Sequence, residues 1–118
     1  MLTIEYVSTN ANAPVIVLFG GNPVRRDEVI NHLKHIGDIS IYGTLSEEEG
    51  IEKIRLLPKV DLVLIGGRYS HEQRIRIKKF VAEDSLQTKI SEPGVDYPYE
   101  TKAINNDIRV KLNLQHDQ

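Results

Sequence analysis

Two apolar runs, each ended by a pair of glycines, constrain this chain more than any other feature in it. Val15–Phe19 (VIVLF) runs into Gly20-Gly21, and Val60–Ile65 (VDLVLI) runs into Gly66-Gly67. A short run that is apolar at successive positions must be covered on both faces, the condition of an inner strand in a parallel sheet. Helical signals follow each run. Asn22-Pro23 joins a good N-cap to a residue whose missing N–H is harmless in a first turn. Val29, Ile30, Leu33 and Ile36 then give an apolar stripe, and Gly37 a stop. Ser46 with Glu49, and Ser70 with Gln73, have capping-box spacing. Ile51, Ile54 and Leu57 follow the first box and end at Pro58; Ile77, Phe80 and Val81 follow the second.

The remaining segments are weaker. Asp38–Tyr42 (DISIY) alternates polar and apolar, which predicts a strand with one wetter face at a sheet edge. Thr88–Ser91 predicts a short fourth strand, 92–99 (EPGVDYPY) a loop, and Ala103, Ile104, Ile108 and Leu112 a last helix that frays beyond Leu114. Leu2, Ile4 and Tyr6 alternate with Thr3 and Glu5, so residues 1–13 offer an extra N-terminal strand and a linker. Strands alternating with helices imply right-handed crossovers and a three-layer α/β fold. The expectation is one domain over residues 1–118, a doubly wound parallel sheet of about four strands in the order 2-1-3-4, flavodoxin- or Rossmann-like. In that order the first and third strands flank the topological switch point, where such sheets bind ligands.

Composition removes several kinds of chemistry. A net charge of −2 gives no basic excess for phosphate backbones, so no nucleic-acid partner is expected. The chain has no cysteine, which excludes disulfides, thiolate catalysis and Cys-bound metals, and fits a cytoplasmic location. No segment approaches the ~20 apolar residues of a membrane span, and Met1–Asn10 lacks the pattern of a signal peptide.

Phe19-Gly20-Gly21-Asn22-Pro23 with Arg26, and Val60–Gly66, resemble the corresponding segments of bacterial response-regulator receiver domains. The resemblance covers Val15 to Gly67 and implies a flavodoxin-like fold. Receivers carry an acidic pair after the first strand and a phosphoacceptor aspartate after the third. Here those positions hold Gly20-Gly21 and Gly66, which can neither hold Mg²⁺ nor accept a phosphoryl group. The resemblance therefore implies a degenerate receiver-like domain without phosphotransfer. After Gly67 the match fades, and one βα unit is missing.

The candidate ligand site is the carboxyl edge of the sheet: Gly20, Gly21, Asn22, Gly66, Gly67, Arg68, Ser70, His71, Asp96 and Tyr97. Glycine lets a ligand approach the backbone, and helix N-termini favour anions. Arg25, Arg26, Arg68 and Arg74 could add charge, and Tyr97 and Tyr99 a cover. The same glycines equally suit tight strand-to-helix turns, and the same arginines a solvated surface. No GxGxxG or Walker lysine motif is present. Ser70 beside His71 is better explained as a helix cap than as a nucleophile and base. His32 and His35 lack accompanying carboxylates for a metal, and Arg74, Arg76, Lys78 and Lys79 read as a solvated helix face. No catalytic residue, metal or cofactor is expected. The favoured function is a non-catalytic regulatory or protein-interaction module that forms a homodimer; the alternative is a binder of a nucleotide or another small anion.

Overall fold

Ile16 and Leu18 point to one side of the sheet and Val17 and Phe19 to the other, and all four are buried. Everything else is arranged around that strand. The computed structural model describes residues 4–85 and 87–114. Its elements are β1 (Glu5–Tyr6), β2 (Val15–Phe19), α1 (Pro23–Leu33), β3 (Ser40–Thr44), α2 (Glu47–Leu56), β4 (Leu62–Ile65), α3 (His71–Asp84), β5 (Lys89–Ser91) and α4 (Thr101–Leu112). The apolar stripes of α1 and α4 cover Ile16, Leu18, Leu62 and Leu64 through Val29, Ile30, Leu33, Ile104 and Ile108. On the other face, α2 and α3 cover Val17, Phe19, Val63 and Ile65 through Ile54, Ile77 and Val81. Helices on both faces explain why β2 and β4 are apolar at every position.

The sheet differs from expectation in count, order and direction. It has five strands among the described residues, ordered β1-β3-β2-β4-β5. β3, β2, β4 and β5 pair in parallel, and β1 adds an antiparallel edge, with Glu5 opposite Tyr42 and Tyr6 opposite Ile41. The sheet is therefore mixed, not purely parallel. Part of the expected Leu2–Tyr6 strand lies outside the described residues, as do residues 115–118 beyond the last helix. β3 is also not an edge with a wet face. It begins at Ser40, extends to Thr44, and is buried except at half-buried Tyr42. Gly43 explains the close cover: an added Cβ would lie 2.7 Å from Ile30 Cδ1.

Two helix ends depart from the sequence signals. α1 stops at Leu33, ahead of Gly37, and Ile36 reaches the core from the following turn. At α2, Ser46 Oγ accepts from the Glu49 N–H at 3.1 Å, but Glu49 Oε1 accepts from Leu45 N–H at 2.7 Å, one residue before the cap. The box at α3 is complete, with Ser70 and Gln73 each accepting the other's backbone N–H.

Candidate functional site

The ends of β2 and β4 stand side by side, and the Gly66 N–H donates to the Phe19 carbonyl at 2.8 Å. Above them lies a cavity of about 420 Å³ at the carboxyl edge of the sheet. The two glycine turns form its floor, α1 supplies Arg25, Arg26 and Glu28, and Arg68 and Tyr99 complete it. Six of the ten expected residues thus share one hollow: Gly20, Gly21, Asn22, Gly66, Gly67 and Arg68. Ser70 and His71 do not. Ser70 is spent capping α3, and His71 is exposed as that helix's first residue.

Asp96 and Tyr97 lie away from the cavity. Asp96 is exposed in a turn, its N–H bonded to the Glu92 carbonyl at 3.0 Å. Tyr97 packs on the α1–α4 side of the core, with its hydroxyl 2.5 Å from Ser91 Oγ. Burial pushes its phenol up to about 12. The loop reaches the cavity through Tyr99 instead, whose ring sits 4.8 Å from the Arg25 guanidinium carbon. The sequence offers both tyrosines, and only the turn at Pro93–Tyr97, with Gly94 at φ 85°, decides which one faces the crevice.

Packing is close at all four crevice glycines and leaves no room for a Cβ at Gly66. None of the four at the crevice has a positive φ; among described residues Gly94 is the glycine that does. A Cβ would meet Thr44 O at 3.2 Å from Gly20, Arg68 Cβ at 3.0 Å from Gly21, Phe19 O at 2.9 Å from Gly66, and Tyr99 Cε2 at 3.2 Å from Gly67. These residues are small because protein atoms crowd them, and that crowding holds the crevice walls close.

Two buried side chains fix the floor. The Tyr69 hydroxyl donates to the Gly20 carbonyl at 2.9 Å. Burial pushes this phenol up, and the carboxylates of Glu49 and Glu47 add to the shift, so it remains a donor. Arg74, expected on a solvated face, is buried: it donates to the Gly66 carbonyl at 2.8 Å, the Tyr69 carbonyl at 3.0 Å and Glu92 Oε1 at 3.1 Å. It therefore brings no free charge to the cavity. Periodicity placed Arg74 one turn before Ile77 on the inward face, the one signal that could have revealed this.

The charge open to a ligand comes from Arg25 on α1 and Arg68 in the β4 turn, while Arg26 lines the cavity as a buried side chain. Arg25 has a partly exposed partner in Glu28 at 3.4 Å, and buried Arg26 lies 3.3 Å from Asp27. Arg68 is exposed and makes no ion pair with another described residue. Asn22 already occupies the first turn of α1, accepting from Val24 N–H at 2.9 Å and Arg25 N–H at 3.1 Å. An anion here would therefore meet guanidinium groups and the glycine turns before the helix terminus. Among the described residues no group of three or more His, Asp or Glu is placed to hold a metal ion, and no helix is long and apolar enough to cross a membrane. No protein-family model matches the chain, and neither does any curated protein or solved structure.

Proposed function

We propose that this domain is a non-catalytic module that binds a small anionic ligand in the crevice between the β2 and β4 turns. The observation that carries this reading is the convergence of Arg25 and Arg68 with both glycine turns around one cavity. Its volume, about 420 Å³, falls within the range of small-ligand pockets. Guanidinium groups suit phosphate and carboxylate because their N–H donors match two oxygens at once. Among the described residues lining the cavity the one carboxylate is Glu28, which pairs with Arg25 at 3.4 Å, and this supports binding over turnover. Amide chemical shifts followed through a phosphate titration test it. Perturbations should cluster at Gly20–Asn22 and Gly66–Arg68; a cluster at His32 and His35, or none, overturns the reading.

A second reading, a receiver-like regulatory or interaction domain without phosphotransfer, draws support from the adjacency of Gly20 and Gly66 at the ends of paired parallel strands. That adjacency is where receiver chemistry would need its carboxylates. The two readings are compatible, since a module that has lost phosphoryl transfer can keep an anion-binding crevice.

A further inference from the structure

The crevice does not end at Arg68. Beyond that side chain a second hollow of about 270 Å³ opens between the starts of α2 and α3, with Ser46, Glu47, Tyr69 and Gln73 on its walls. Gly21 and Arg68 belong to both hollows. Arg68 stands between them because Gly21 leaves room for its stem. A Cβ at Gly21 would lie 3.0 Å from Arg68 Cβ and 3.1 Å from Cδ, so a larger residue would displace the arginine.

The two hollows differ in chemistry. The first presents the guanidinium groups of Arg25 and Arg68, the glycine backbone and the Tyr99 ring, with one carboxylate, Glu28, already paired to Arg25. The second presents a hydroxyl, a carboxylate and an amide. Glu47 already takes two bonds from Arg76, both at 2.8 Å, and a further one from the Gln73 side chain, but an ionised carboxylate has about four acceptor positions and keeps capacity for a ligand hydroxyl. Ser46 Oγ accepts from Glu49 N–H and still has its own proton to donate. An inorganic anion fills only the first hollow. A ligand complementary to both has an anionic end and a hydroxylated end.

We infer that the crevice takes a phosphomonoester of a hydroxylated group, such as a sugar phosphate, with the phosphate among the arginines, the hydroxyls in the second hollow, and Arg68 as the residue that sets specificity. This deepens the anion-binding reading and rests on it. Titration of the full chain with inorganic phosphate and with ribose 5-phosphate, followed by calorimetry and amide shifts, separates the two. The sugar phosphate should bind at least about tenfold tighter, the worth of one good charge-assisted or neutral hydrogen bond set. Only it should perturb Ser46, Glu47 and Gln73. Equal affinities with shifts confined to the first hollow overturn this inference and leave the anion reading standing; no binding of either overturns both. In Arg68→Ala, checked for an intact fold by its amide dispersion, ribose 5-phosphate should lose about tenfold or more in affinity. An unchanged affinity removes Arg68 as the determinant.

Discussion

At the scale of single residues, the most consequential is Glu92, which its loop offers as a group to hydrogen-bond a ligand and which the structure pairs with one buried and one exposed cation instead. Glu92 is 4% exposed and accepts from Arg74 at 3.1 Å and Lys78 at 3.0 Å. Through Arg74 it is connected to the Gly66 carbonyl, and so to the crevice floor. Burial pushes the Glu92 carboxyl up, but hydrogen bonds and charge from Lys78 and Arg74 outweigh it and hold the group below its ordinary 4.5. Lys78 is more open to solvent than Arg74, so its share of the stabilisation is the more screened by salt. Removing one member of a buried pair strands the other's charge, so Glu92→Ala should cost about 3–5 kcal/mol in urea unfolding. A depressed carboxylate contributes stability above its unfolded pKa and loses it as pH falls through the folded value. The gap between wild type and Glu92→Ala should therefore be full near about pH 7 and shrink toward about pH 3. A gap that stays constant with pH would show that packing, not charge, is what Glu92 supplies.

At the scale of elements, legibility followed burial. β2 and β4 could be read because both faces of each are covered, and a continuous apolar run has few other uses. The starts of α1 and α3 could be read because their caps are local: Asn22 and Ser70 bond within three residues. β3 departs from the edge strand its alternation predicts because its cover comes from elsewhere. Ser40 is buried yet polar, its hydroxyl accepting from the Ser8 N–H at 2.9 Å, a partner 32 positions away. The crevice was half legible for the same reason. Glycine pairs mark the turns, but which of Tyr97 and Tyr99 faces them depends on the turn at Pro93–Tyr97 and on the contact of the Tyr97 hydroxyl with Ser91 Oγ. Gly50 carries no sequence signal for its role either; a Cβ there would sit 2.0 Å from the Phe19 ring, which forces glycine where α2 crosses β2. β1 has its own consequence. Its outer edge has no strand partner among the described residues, and Tyr6 and Val7 are 41% and 54% exposed. An unpaired edge with apolar neighbours favours pairing with a second copy. Sedimentation at several concentrations should show a dimer that dissociates on dilution, and Tyr6→Lys should weaken it; a monomer throughout refutes this contact.

At the scale of the whole molecule, the proposed receiver-like reading makes a chemical prediction. Under that reading Gly20, Gly21 and Gly66 take the positions of the carboxylates, and among the described residues no group of three or more His, Asp or Glu is placed to hold a metal ion. Incubation with acetyl phosphate and Mg²⁺ should therefore leave the intact mass unchanged. A stoichiometric phosphoryl adduct would contradict the receiver-like reading without phosphotransfer. The centrality of β2 also bears on how the chain is made. Its neighbours β3 and β4 both come later in sequence, and the bond from Val15 N–H to Asp61 Oδ2 spans 46 positions. During synthesis the VIVLF run leaves the ribosome with neither partner in existence, and it must wait for Ile65 before both of its edges are filled. A nascent chain halted between α2 and β4 would present its most apolar strand with one edge open, a template for joining other chains. The interval before residues 62–65 join the sheet is thus the one in which β2 is open to pairing with another chain.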